Sequence, residues 1–206
     1  MEEITLTKGD AQMVRTASTM MDLGTQAPSF NLRDVVTGAH ITLDSFKSSK
    51  ALLVMFICRH CPYVQHIKHE MAKLGKDYPL KDLAIMAISS NDAKTHPEDS
   101  PVSLREMVHE LGLNFPLGHD ETQEVAKAYA AACTPDFFLF DKNRKLVYRG
   151  QLDDSRPENG KPVTGRDLRA AIDAILQDKR ISDNQKPSLG CNIKWKEGNE
   201  PSYFKS

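Results

Sequence analysis

Cys58-Arg59-His60-Cys61-Pro62 decides the reading of this chain. It follows the apolar run Ala51-Leu52-Leu53-Val54-Met55-Phe56-Ile57, the pattern of a central strand buried on both faces. It precedes a stretch of helical periodicity, in which Val64, Ile67, Met71 and Leu74 share one face. Pro62 suits the first turn of that helix, where no intrahelical N–H bond is lost. Two thiols separated by two residues can close a small disulfide ring with little backbone movement. At a helix start the first thiol faces free N–H groups and the positive end of the helix dipole. Both favour the thiolate, which is the nucleophilic form. The stretch therefore predicts a reversible dithiol/disulfide centre at a strand-to-helix junction.

Further elements follow on either side. Ser29-Phe30-Asn31-Leu32 and His40-Ile41-Thr42-Leu43 flank Thr37-Gly38 and read as a hairpin. The helix after the cysteines is expected over 62–76, and a second buried strand over 83–88. Residues 89–101 are polar and rich in turn formers, readable as a lid over the cysteines or as a solvated insertion. A helix over 103–111, a strand over 115–117 and a helix over 122–132 come next. Phe137-Phe138-Leu139-Phe140 and Lys145-Leu146-Val147-Tyr148 form a hairpin around Asp141-Lys142-Asn143-Arg144. A final helix is expected over 167–176, and a polar tail over 182–206 carries Cys191 and Trp195. The order predicts an α/β fold: a mixed sheet with helices on both faces and an extra N-terminal β-hairpin. The crossover after residue 57 is long enough for parallel pairing.

The chain has 206 residues, enough for one sizeable core. A net charge of −1 gives no electrostatic footprint for nucleic acid. The longest apolar run is too short to span a bilayer, so no membrane partner is expected. Met1-Glu2-Glu3-Ile4-Thr5 lacks the basic and apolar regions of a secretory signal, and a cytoplasmic location is expected. Four cysteines are too few for a disulfide scaffold in a chain this long and point to chemistry, metal binding or inert burial.

The Cys-x-x-Cys at a strand-to-helix junction, combined with Cys133-Thr134-Pro135 just before the strand 137–140, resembles the thioredoxin superfamily. The resemblance covers residues 27–178, leaving 1–26 as an N-terminal extension and 179–206 as a C-terminal tail. It implies a thioredoxin-like three-layer sandwich in which Pro135 is cis and faces the cysteines. The N-terminal hairpin resembles the redoxin branch (alkyl hydroperoxide reductase/thiol-specific antioxidant). Closer still is a peroxiredoxin-like group sharing Cys-x-His-Cys-Pro-Tyr-Val (58–64) and Asn91-Asp92 followed by Pro97-Glu98-Asp99-Ser100-Pro101. Thr134-Pro135-Asp136-Phe137-Phe138-Leu139-Phe140-Asp141, Asp153-Asp154-Ser155-Arg156-Pro157 and Ile193-Lys194-Trp195-Lys196 belong to the same pattern.

These residues assign provisional roles. Cys58 is the expected nucleophile and Cys61, placed one turn into the helix, the resolving thiol. His60 is expected to favour the Cys58 thiolate through its ring N–H or charge, with Arg59 adding positive potential. Thr134 and Pro135 are expected to form the substrate-facing loop, where the backbone before a cis-proline can pair with an extended substrate. Cys133 and Cys191 are candidate accessory thiols or small buried residues, and Trp195 is a natural anchor if the tail folds back. His66, His69 and Lys73 are expected on a solvated face.

The leading function is thiol–disulfide exchange with protein or small-molecule thiols and disulfides, with no cofactor and no resident metal. The alternative is a peroxidase. The Pro-x-x-x-Thr-x-x-Cys frame of peroxiredoxins would need proline and threonine where Ala51 and Met55 stand, and counting from Cys61 finds Val54 and Cys58. The strand before the cysteines also lacks the acidic residue of thioredoxin itself. A third reading, metal binding by Cys58, Cys61, His60, His66 and Cys133, has only one paired-ligand motif. Both monomer and homodimer are compatible with the sequence.

Overall fold

The apolar run becomes the middle of a five-stranded sheet in the computed structural model, which describes residues 15–204. In chain order the strands and helices begin with β1 (Arg15–Ala17), β2 (Asn31–Arg33), β3 (His40–Thr42), β4 (Ala51–Phe56), α1 (Pro62–Asp77) and β5 (Leu83–Ser89). Next come α2 (Pro101–Leu111), β6 (Leu117–His119), α3 (Glu124–Ala128), β7 (Cys133–Thr134) and β8 (Asp136–Phe140). The last are β9 (Leu146–Gly150), α4 (Arg166–Leu176) and β10 (Leu189–Asn192). The large sheet has the order β6-β5-β4-β8-β9. β4, β5 and β6 run parallel, and β8 and β9 run antiparallel to their neighbours, so the sheet is mixed. β2 and β3 form the expected N-terminal hairpin.

Alternation along β4 divides two cores, because successive side chains leave opposite faces. Ala51, Leu53, Met55 and Ile57 join Val64, Ile67, Met71 and Leu74 of α1, Leu104 of α2, and Leu168 and Ile172 of α4. Leu52, Val54 and Phe56 join Phe30, Leu32 and Phe46, with Val125 and Ala126 of α3. Each such side chain contributes about 1.5–3 kcal/mol on burial, which fixes β4 and hence the cysteines that follow it.

Several boundaries differ from the sequence expectation. The helix expected over 122–132 is the short α3, bounded by Gln123 at φ 65° and Ala130 at φ 48°. The strand expected over 115–117 shifts to β6, where the Val35 N–H donates to the Leu117 carbonyl and Asp34 bridges to Gly118. The segment 89–101 is neither a free lid nor a solvated insertion. Its Ser90, Asn91, Asp92 and Asp99 are buried.

The tail is built into the fold. β10 lies between β1 and β7 in a second, three-stranded sheet. Residues on either side of the expected 27–178 unit are thus paired with each other and with the Cys133–Thr134 strand. Residues 1–14 of the expected extension lie outside the described residues. No described helix is long and apolar enough to cross a membrane.

Candidate active site

Two loops meet at the carboxyl end of β4 and the amino end of β8. One is the turn 57–61 between β4 and α1. The other is the Thr134-Pro135 segment, whose peptide bond is cis. The Cys58 Sγ is 3.2 Å from the Thr134 hydroxyl, and the Cys61 Sγ is 3.2 Å from the Thr134 carbonyl oxygen. A third thiol arrives from the tail: the Cys61 and Cys191 sulfurs are 2.9 Å apart. All four cysteines are buried. Cys133, the neighbour of Thr134, is set apart from this cluster and donates its thiol to the Pro135 carbonyl at 3.5 Å.

The helix begins at Pro62, so Cys61 is its N-cap residue and not a position one turn inside. This shifts the ionisation expected from the sequence. The Cys191 and Cys58 thiols flank Cys61 and hold its pKa well below the ordinary thiol value, against the effect of burial. Burial pushes the Cys58 thiol up, as do its contact with Cys61 and the charge of Asp99, while the Thr134 hydroxyl pulls it down. Cys191 is raised by the same contact with Cys61 and by burial. Cys61 is the central one of the three sulfurs: its contacts with Cys191 and Cys58 favour its thiolate, and the same contacts disfavour the thiolates of Cys58 and Cys191. Cys133 is raised by burial and by Asp136.

His60 is oriented by a residue that the motif does not contain. Its Nδ1 is 2.6 Å from Oδ2 of Asp99, a fully buried carboxylate. The same carboxylate accepts from the Arg59 N–H at 2.7 Å, the His60 N–H at 3.4 Å and the Asn91 amide at 2.7 Å. Asp99 thus sets the backbone of the Cys58–Cys61 turn. Its hydrogen bond raises the His60 pKa, outweighing burial. Burial alone would push Asp99 up, but His60 and Asn91 hold it below the usual carboxylate range. His60 stacks on His96 with centroids 4.8 Å apart, and His96 is lowered by burial and then by its charged neighbour.

Arg59 does not act as a free positive charge beside the thiols. Its guanidinium donates to Glu106 at 2.6 Å, Glu110 at 2.7 Å and the Ser103 carbonyl at 2.7 Å, all on α2. His66 is half-buried and lies 2.7 Å from the Ser155 hydroxyl, whereas His69 and Lys73 are exposed as expected. Trp195 packs against the second core, on the opposite face of the sheet from the cysteines, with an edge contact to Tyr203.

For metal binding, Cys58, His60 and Asp99 place one ligand atom each within 4.8 Å of one another, the one such group found among the described residues. The Asp99 oxygens in it are already engaged by His60, Asn91 and Arg59. Cys61, His66 and Cys133, expected in a ligand set, stand outside it.

The sequence placed Asp99, Asn91, Lys194 and Asp136 in the family pattern but gave none of them a role. The Lys194 N–H donates to Asn91 Oδ1 at 2.8 Å and its carbonyl accepts from the Asp92 N–H at 2.8 Å, so the tail, the 90–92 segment and Asp99 form one chain of bonds. Asp136 follows the cis-proline, is fully buried, and has one carboxylate oxygen without a partner. Burial raises its pKa to about 7. The strand before the cysteines has no acid, and Asp136 on the adjacent strand faces the second core, away from Cys58 and Cys61.

A mixed sheet with a Cys-x-x-Cys turn and a cis-proline loop brought against it defines a thioredoxin-like redox protein. The chain belongs to the AhpC/TSA family, whose model matches residues 23–149. It is 26% identical over 132 residues to the thiol-disulfide oxidoreductase ResA of Bacillus thuringiensis subsp. konkukian (strain 97-27), covering 64% of this chain and 71% of that protein. Among solved structures it resembles an uncharacterized conserved protein from Geobacillus kaustophilus, at 54% identity and a TM-score of 0.87 over 89% of this chain and 97% of that one. A hypothetical protein from Sinorhizobium meliloti 1021 is 52% identical with a TM-score of 0.87, over 89% and 100% of the two chains.

Proposed function

We propose that the protein is a thiol–disulfide oxidoreductase whose exchanging pair is Cys58 and Cys61. One observation carries this reading: Thr134, the residue before the cis-proline, reaches both sulfurs at 3.2 Å. The loop that would hold an extended substrate is thereby brought against the dithiol. The similarity to proteins named ResA supports the same chemistry.

Cys58 attacks a sulfur of a substrate disulfide, forming a mixed disulfide and releasing one substrate thiolate. Its proton first passes to the Cys61 thiolate across the contact between the two, and the Thr134 hydroxyl then donates to the Cys58 thiolate. Cys61 attacks the Cys58 sulfur of the mixed disulfide, closes the ring and releases the second substrate thiol. His60, fixed by Asp99, supplies positive charge beside the sulfurs while they carry negative charge.

The test is a redox titration with thiol counting and mapped disulfides at each poise. A reversible Cys58–Cys61 bridge with a midpoint between about −270 and −120 mV places the pair among dithiol oxidoreductases. Absence of any reversible bridge overturns the proposal. The family match favours peroxide as a second oxidant. On that reading hydrogen peroxide converts Cys58 to a sulfenate faster than disulfides react with it.

A further inference from the structure

We propose that Cys191 is a third redox thiol that forms a disulfide with Cys61, and that β10 is a built-in pseudo-substrate seated on the Thr134 edge. The inference rests on the proposed function and deepens it.

The register makes the first part of the case. Cys191 pairs with Thr134 and Asn192 with Cys133 in an antiparallel ladder. An extended peptide added to that edge would offer its cysteine to the Cys58–Cys61 pair in the same way. The chain's own tail already occupies the place. Its sulfur lies 2.9 Å from that of Cys61, less than 1 Å beyond the covalent separation of about 2.05 Å.

Gly190 makes the second part. A Cβ built there would lie 2.0 Å from the Thr134 carbonyl oxygen and 2.6 Å from its carbon. Both contacts are with backbone, so nothing flexible can give way. Any side chain at 190 would lift the strand off the Thr134 edge. A glycine directly before the cysteine therefore matches this seat in particular.

The strand is also tied down on both sides of Cys191. The Ser188 hydroxyl donates to the Gly150 carbonyl at 2.7 Å, and the Ser18 N–H to the Ser188 carbonyl at 3.0 Å. Beyond Cys191, the Ile193 N–H donates to the Ala132 carbonyl at 3.1 Å and Lys194 is clamped to Asn91. With the strand in place Cys58 and Cys61 have no exposed surface. An outside disulfide therefore meets neither sulfur while β10 stays seated.

The exchange needs no outside oxidant. Starting from a Cys58–Cys61 disulfide, the Cys191 thiolate attacks the Cys61 sulfur. The 58–61 bond breaks, the 61–191 bond forms, and Cys58 leaves as a thiolate that takes up the proton Cys191 gave. One disulfide and one thiol are present before and after. In the 61–191 state the tail is pinned over the site. Reduction frees it and opens the Thr134 edge to another peptide.

The experiment uses the full chain, oxidised with graded ratios of oxidised to reduced glutathione, quenched in acid, alkylated and digested. Cleavage after Arg59 separates Cys58 from Cys61, so the two bridges yield different linked peptides. The expected result is a reversible 61–191 link beside the 58–61 link, and 61–191 as the sole intramolecular bridge in Cys58→Ser. In Gly190→Ala the 61–191 link falls and the alkylation rate of Cys58 and Cys61 in the reduced protein rises, each by about tenfold, as the strand opens more often. A Cys191 that stays alkylatable at every poise, in the wild type and in Cys58→Ser, overturns this inference while a 58–61 bridge leaves the oxidoreductase reading standing. No reversible bridge in either protein overturns both.

Discussion

Replacing Asp99 by asparagine keeps the shape of the side chain and removes its charge. Oδ1 can still accept from the Arg59 N–H, now 2.7 Å away. The new amide then faces the Asn91 amide at the Oδ2 position, donor against donor. Asn91 cannot turn to relieve the clash without giving up its bond to the Lys194 N–H. One buried donor left unsatisfied costs about 1–3 kcal/mol, and a hydrogen bond to a charged group is worth about 1.5–3 kcal/mol against about 1 for a neutral one. The two together give a loss of about 1.5–5 kcal/mol. For a chain of this length that lowers the melting temperature by about 3–20 °C. The deficit also depends on pH. His60 has a raised folded pKa, so its contribution is complete below the unfolded value of about 6.5 and is lost as pH rises through the folded value. Asp99 has a depressed one, so its contribution is present above about 3.9 and is lost as pH falls through the folded value. The gap between wild type and Asp99→Asn is therefore widest between these limits and narrows on the alkaline side. Thermal unfolding between pH 4 and 9, with the His60 ring followed by NMR, measures both effects. A melting-point loss under about 2 °C together with an unchanged His60 titration refutes the assignment of Asp99 as the residue that holds the turn.

Three further changes probe the frame around the site. Arg169→Ala strips Glu70, 7% exposed, of its 2.6 Å partner and leaves only Lys73 at 3.7 Å. Urea unfolding should show a loss of about 3 kcal/mol, and the paired change Glu70→Gln with Arg169→Met should lose less than Arg169→Ala alone. Asp136 has a folded pKa raised to about 7, so wild-type stability is intact below about pH 4 and declines as pH rises to 7, by up to about 4 kcal/mol. Asp136→Asn should remove that decline, and equal pH slopes in the two proteins would contradict it. Leu53→Ala opens a hole in the fully buried centre of β4 and should cost about 2–5 kcal/mol in chemical unfolding.

The central fold was legible because short-range pattern encodes it. The run 51–57 is apolar at every position, which suits a strand covered on both faces, and the hairpin residues sit close to their turns. The Cys-x-x-Cys spacing and the Thr134-Pro135 pair could be read for the same reason: each is a local signal, and the resemblance supplied the contact between them. The rest depends on pairings with no local trace. β10 is four residues long with Gly190 inside it, and glycine weakens any strand pattern. Its reason for being there is a backbone approach to Thr134, more than fifty residues earlier, which no periodicity records. Asp99 lies in a polar stretch that reads equally as loop or lid, and its burial follows only when α2 and the 90–92 segment close around it. The lowering of the Cys61 pKa in place of that of Cys58 has the same origin. From spacing alone the first thiol looks closest to the helix start. The fold brings a tail thiol to Cys61, so the surroundings of the pair depend on a strand about 130 residues downstream. On the proposed reading the local motif names the exchanging thiols, and the long-range contacts build the surroundings in which they would react.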